Sequence, residues 1–205
     1  MPRHRLDQQI AFLKDIDRLK SVERRTALVD RSRLENSAEH SWHLAMMGLV
    51  FGEHAPPGTD TRHAIRLLLV HDLVEIDAGD TFAFDSAAHH DKAAREVAAA
   101  ERILALLPAD QEAELRALWY EFEACETLEA RFANALDRFS GLLQNWAGDD
   151  GGTWRTHGVS RSAVLQRMAP IRSGAPALWP FVEQVIDDAE AAGFITSGPG
   201  PQPGV

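Results

Sequence analysis

Apolar residues recur along this chain at the three-and-four spacing of a helix face, and runs of β-branched residues are almost absent. Between Gln8 and Lys20, the residues Ile10, Phe12, Leu13, Ile16 and Leu19 share one face. A polar, arginine-rich connection follows, SVERRTALVDRSRLEN. Ser37 is then placed to cap a second helix, AEHSWHLAMMGLVFGEHA, which stops before Pro56-Pro57. Asp60 or Thr61 opens a third, TRHAIRLLLVHDLVEI, which ends near Gly79; DTFAFDSAAHHD reads as a loop. A long alanine-rich helix runs from Lys92 to Leu107, and Pro108 separates it from the next, Ala109 to Ala124. The remaining helices are Thr127 to Trp146, Arg161 to Met168 and Pro176 to Ala192, with the glycine-rich AGDDGGTWRTHGVS as a flexible loop. The pattern predicts an all-α, single-domain bundle of about eight helices over residues 1–195. The tail 196–205, TSGPGPQPGV, is expected to be disordered.

Composition narrows the function classes. The formal net charge of -10 speaks against a nucleic-acid or membrane-surface binder. It leaves room for a small phosphorylated substrate, because a metal or a few arginines can reverse the field inside a cleft. The single cysteine, Cys125, permits no intrachain disulfide and suits a reducing cytoplasm. The charged start, MPRHRLDQQIAFLKDIDRLK, is unlike a signal peptide, and no apolar stretch approaches the roughly 20 residues of a membrane span.

The chemistry concentrates in three islands. LLLVHDLV sets His71 and Asp72 among leucines and valines, where a core excludes charge unless something compensates it. ENSAEHSWHLA places His40 in the opening turn of an amphipathic helix, and FANALDRFSGLL buries Asp137 in an apolar stretch. The plain explanation of Asp137 is a salt bridge to Arg138 or Arg131, of which Arg138, the next residue, is expected to point elsewhere on the helix. A second HD pair, His90-Asp91, lies in a polar loop and reads as solvated. Two imidazoles and two carboxylates suit one divalent ion, whether Mn, Co, Fe, Ni, Zn or Mg. Four protein ligands leave positions for water and substrate, which favours hydrolysis. Glu75, four residues after His71, shares its helix face, and Asp80 follows Gly79, where the chain can turn back. Asp77 is expected to face solvent.

The order H…HD…D, carried by ENSAEHS, VHDLVEIDAGD and ALDR, resembles the HD-domain metal-dependent phosphohydrolases, and within them the 5'-deoxynucleotidase-like branch. The resemblance covers Phe12 to Val185. It implies one metal held by His40, His71, Asp72 and Asp137, with Glu75 and Asp80 as the acids that handle the attacking water and the leaving group. It implies an arginine for the phosphate in the linker before His40. Counting back from His40 selects Arg25, with Arg24, Arg31 and Arg33 as near competitors. Thr26 stands where that branch carries a tryptophan. A homodimer acting on a small phosphorylated substrate, a nucleotide, is the expectation, with Leu178, Trp179, Phe181, Val182 and Val185 as a candidate dimer surface or the last core helix. A phosphodiesterase, a nucleoside triphosphohydrolase or a non-catalytic regulatory metal domain are the alternatives. His43 reads as a half-buried histidine, His89-His90 as a poor second metal site, and LWYEFEA as helix packing without a ligand role.

Overall fold

The computed structural model describes residues 4–81 and 91–198. Helix α1 (Arg5–Ile16) passes through a 3₁₀ turn into a short antiparallel hairpin, β1 (Glu23–Ala27) and β2 (Leu34–Asn36). Then come α2 (Ser37–Val50), α3 (Thr61–Val70), the 3₁₀ turn His71–Val74, and α4 (Glu75–Ala78). Beyond the undescribed 82–90 lie α5 (Lys92–Leu104), α6 (Ala109–Ala124), α7 (Leu128–Trp146), α8 (Gly152–Thr156), α9 (Arg161–Met168), α10 (Ile171–Gly174) and α11 (Trp179–Ala191). The all-α architecture is as the periodicity indicates, with one small sheet added.

That sheet is where the polar connection differs from expectation. Its residues pair Glu23 with Asn36 and Ala27 with Leu34. A strand sends successive side chains to opposite faces. Arg24 therefore turns inward while its neighbours Glu23 and Arg25 stay exposed. The cap of α2 also moves by one residue. Asn36 Oδ1 accepts from the Ala38 and Glu39 amides at 3.1 and 3.0 Å, and the Glu39 carboxylate accepts from the Asn36 amide at 2.7 Å. Ser37 is thereby freed to use its hydroxyl elsewhere.

The long helix expected over 61–79 is broken. α3 ends at Val70, the chain tightens to three residues per turn, and Gly79 (φ +75°) stops α4 in a conformation that favours glycine. At three per turn Asp72 and Glu75 fall in line, so Glu75 sits over Asp72 rather than over His71.

α3 packs between α2, α6 and α7, and α10 lies against α7. Leu44, Leu67, Leu68, Phe132, Leu136, Leu142, Ile171 and Ile186 are fully buried there, each contributing about 1.5–3 kcal/mol of apolar burial. Val182 and Val185 of α11 also have no exposed surface, so the candidate dimer helix packs into the core, with Phe181 exposed and Trp179 partly so. Exposed apolar residues also lie on α1 (Leu6, Ile10, Leu13) and α2 (Trp42, Met46, Leu49).

The glycine-rich segment is anchored rather than loose. Asn145 Oδ1 accepts from the Thr153 amide, the Thr153 hydroxyl and the Trp154 amide at 2.8, 2.7 and 3.3 Å, and Trp154 is buried. The first residue of the expected tail is also held: Thr196 accepts from the Arg161 amide at 2.8 Å and donates to the Val159 carbonyl at 3.1 Å. The rest of that expectation, at 199–205, and the His89-His90 pair lie outside the described residues.

α10 approaches α7 backbone to backbone at Gly174, where a Cβ would meet the Arg131 carbonyl oxygen at 2.1 Å. Backbone cannot step aside as a side chain can. Gly174→Ala is expected to lower unfolding free energy by about 1–3 kcal/mol in a denaturant titration.

Candidate active site

Three separate elements deliver the predicted ligands to one point. His40 comes from the first turns of α2, His71 and Asp72 from the 3₁₀ turn, and Asp137 from the middle of α7. Each of His40, His71 and Asp72 offers a ligand atom within 4.8 Å of the other two, and all three are buried. The His71 Nδ1–H donates to the Leu68 carbonyl at 2.9 Å, which leaves Nε2 free; that atom lies 3.0 Å from Asp72 Oδ1. His40 Nε2 lies 3.2 Å from Asp137 Oδ1 and 3.9 Å from Asp72 Oδ2. Asp137 does not fall within that spacing of all three others, but shares the same imidazole nitrogen. Arg138, expected to point away, folds its long side chain back and donates to Asp137 Oδ2 at 2.8 Å. Two imidazole nitrogens and two carboxylates facing one another in a buried space form a donor set that fits a divalent cation.

The acids beside the cluster are as buried as the cluster itself. Glu75 Oε2 accepts from the freed Ser37 hydroxyl at 2.6 Å. Arg24, delivered inward by β1, reaches Asp72 Oδ2 at 3.0 Å, with Asp80 Oδ1 at 3.8 Å and Glu75 Oε2 at 3.9 Å. Asp80 Oδ2 accepts from the Arg25 amide at 3.3 Å, while the Arg25 side chain stays on the exposed rim. The arginine brought against the acids is thus Arg24, not Arg25. Asp77 is exposed as expected, paired with Arg18 and Arg102.

Electrostatics separate these carboxyls. Burial raises the Glu75 carboxyl well above its ordinary value, and the Asp72 charge adds to this. Burial also opposes the charge of Asp72, but His71 and Arg24 outweigh it and hold that carboxyl below its usual range. Asp137 behaves alike, with its His40 bond and the Arg138 charge overcoming desolvation. Desolvation and the Arg24 charge oppose protonation of His40, yet bonds to Asp137 and Glu35 raise it to about 9. A cleft of about 280 Å³ opens onto the cluster. Among the described residues it is lined by six carboxylates (Asp72, Glu75, Asp80, Glu96, Glu123, Asp137) and five cations (Arg24, Arg25, Lys92, Arg138, Arg167).

Residues 16–179 match the family described as HD domain. The chain belongs to the HD-domain family. Among solved structures it is similar to the "Predicted metal-dependent phosphohydrolase" of Magnetospirillum magnetotacticum. The two are 45% identical with a TM-score of 0.90, over 96% of this chain and 98% of that one. An HD-domain phosphohydrolase from Listeria innocua, 15% identical with a TM-score of 0.59 over 89% and 85% of the two chains, shares the fold. The curated 5'-deoxynucleotidase HDDC2 of Homo sapiens is 34% identical over 137 residues, 66% of this chain and 65% of that protein. The matched region therefore spans somewhat less than two thirds of that relative's length.

Several parts of this HD domain escape a reading by motif. Glu35 is 2% exposed, with Oε2 3.2 Å from His40 Nδ1 and 3.4 Å from Arg24 Nε. It sits behind both the imidazole and the guanidinium at ion-pair distance. Its only signal was an acid in a strand too short to recognise. Phe122 packs against His71 with ring centres 4.6 Å apart and the planes tilted by 45°, and Phe122 and Glu123 line the cleft, so LWYEFEA does more than pack helices. His43 is half-buried and stacks on the exposed Trp42 ring, away from the cluster.

Two outcomes are expected. Glu35→Gln should weaken divalent-metal binding by about 10–100-fold in a calorimetric titration, the usual scale for removing a carboxylate behind a ligating histidine. In chelator-treated protein, His40 protonation stabilises the fold fully below its ordinary 6.5, and this is lost as pH rises through about 9. Denaturant unfolding of that form should show stability falling across pH 6.5–9, while a metal-saturated sample, its His40 already deprotonated, should not follow that slope.

Proposed function

We propose that this HD domain is a metal-dependent phosphohydrolase that cleaves nucleoside 5'-monophosphates or similar small phosphate monoesters. The observation that carries the reading is the convergence of His40, His71 and Asp72, with Asp137 beside them, on a cleft that also holds Glu75 and Asp80. A purely structural metal site has no need of those two further acids. The likeness to the proteins named 5'-deoxynucleotidase supports the nucleotide class.

In this reading His40, His71, Asp72 and Asp137 hold one divalent ion. When bound, that ion supplies a Lewis acid for the phosphoryl group and eases deprotonation of water. The protein's own groups do the rest. Glu75, whose carboxyl burial and the Asp72 charge raise well above its ordinary value, is placed to give a proton to the leaving 5'-oxygen. Asp80, at the turn made by Gly79, accepts the proton of the attacking water. Arg24 keeps Asp72, Glu75 and Asp80 in register, and Arg25 meets substrate at the rim.

Charge and size favour a monophosphate over the alternatives. The five cations and six acids of the cleft nearly cancel, and a divalent ion turns the balance positive. A triphosphate or a diester chain needs a longer cationic groove. The proposal extends to a cytoplasmic homodimer: the single cysteine suits a reducing compartment, and the exposed apolar stripe on α1 and α2 offers the surface to probe by sedimentation.

The deciding experiment is phosphate release by metal-reconstituted protein across nucleoside mono-, di- and triphosphates, in ribo and deoxy forms. Monophosphates should be hydrolysed best, and chelation should stop the reaction. Asp72→Ala should abolish release with the circular dichroism unchanged. Glu75→Gln should lower kcat by about 10²–10⁴-fold with KM little altered, the range for loss of a general acid. Phosphate release that survives the Asp72 change would overturn the scheme.

A further inference from the structure

Of the five cations in the cleft, three are already matched by carboxylates. Arg24 lies against Asp72 at 3.0 Å, Arg138 against Asp137 at 2.8 Å and Lys92 against Glu96 at 3.0 Å. Arg25 sits on the exposed rim, where water serves it. Arg167 differs from all four. It is only partly exposed and makes no hydrogen bond or ion pair among the described residues.

We propose that Arg167 is the anion receptor of the cleft, the guanidinium that grips the phosphate of a bound phosphomonoester. The inference rests on the phosphomonoester reading above and adds to it a residue that the motif pattern does not contain. A guanidinium taken partly out of water with no carboxylate against it gives up hydration that no protein group replaces. A planar fork of N–H donors with nothing to bind matches two phosphate oxygens.

The scaffold holds this fork still. Ser160 Oγ caps α9 by accepting from the Ala163 amide at 3.2 Å, and Val164 and Met168, on either side of Arg167, are buried in the core. The guanidinium therefore projects from a seated helix, which lowers the ordering cost of binding. A cation in the last turn of a helix gains a little from the helix dipole, but that accounts for neither its desolvation nor its missing partner. Desolvation first, then the nearby Arg138 charge, pull the Arg167 guanidinium down to about 10, while Asp137 and Asp80 act the other way. It thus lies within electrostatic reach of Asp137 and Asp80, and an arriving dianion offsets both the desolvation and the Arg138 repulsion.

The test uses metal-loaded full-length protein and inorganic phosphate as the probe, titrated by calorimetry and as a competitive inhibitor. Arg167→Met should weaken phosphate binding by about tenfold or more, the scale of one lost charge-assisted hydrogen bond. It should raise KM for a nucleoside monophosphate by a similar factor and leave metal stoichiometry unchanged. Arg167→Lys keeps the charge and loses the fork, so it should recover only part of the affinity; it carries the test if the methionine variant fails to fold. Arg172→Gln, which removes a guanidinium stacked 4.2 Å over Trp179 and not among the cleft-lining residues, should change nothing. Folded Arg167→Met that binds phosphate within about twofold of the parent overturns the proposal. The two readings part cleanly. Phosphate bound through Arg167 with no hydrolysis of any monophosphate sinks the hydrolase and keeps the receptor. Hydrolysis indifferent to Arg167 does the reverse.

Discussion

Charge taken out of water has to be met by opposite charge, and in this protein that demand is concentrated where α2, α7 and the 71–78 segment converge. His40, His71, Asp72, Glu75 and Glu35 are all buried within a few ångströms of one another. No arrangement of leucines around them would hold if they stood alone. The protein meets the demand with whatever cation is at hand: the Arg24 guanidinium on Asp72, the Arg138 guanidinium on Asp137, a proton retained on His40. A divalent ion is the same answer in denser form. The proposed chemistry follows from the same constraint, because a site that must accept a compact positive charge can also present it to a phosphate.

The architecture around that point divides its labour. The long helices α3, α6, α7 and α11 supply the apolar core and have ordinary periodicity. His40 and Asp137 come from the long helices α2 and α7, but the other residues at the acids sit on short or irregular pieces: a five-residue strand, a 3₁₀ turn, a four-residue helix ended by Gly79. Each changes the direction of a side chain by an amount that a regular helix cannot. The 3₁₀ turn lines Glu75 up with Asp72, and the strand turns Arg24 in while leaving Arg25 out. The capping box at Asn36 frees the Ser37 hydroxyl for Glu75.

The cations of the cleft then carry different duties. Arg24 is held against the acids, which keeps Asp72, Glu75 and Asp80 from repelling one another. Arg167 is kept in reserve, on a helix whose neighbouring residues are buried. A site that neutralised every cation internally would have nothing left to attract a substrate in a chain of net charge -10.

The helical class and the identity of the buried HD pair were legible in the sequence, because both are local facts. Periodicity reports which face of a helix is wet, and a His-Asp pair among leucines announces a cost that some partner must cover. The order of the islands at 40, 71–72 and 137 was legible for the same reason. What the sequence left open was direction. Arg24 and Arg25 are indistinguishable in a string, and only the pairing of β1 with β2 decides which one faces the acids. Arg138 looked turned away from Asp137 until its flexible side chain was seen to fold back. Glu35, Phe122 and Arg167 carry no motif at all; they matter because helices and strands distant along the chain bring them around the same site. Burial and orientation are properties of the packed whole, and so they were settled only when the chain closed on itself.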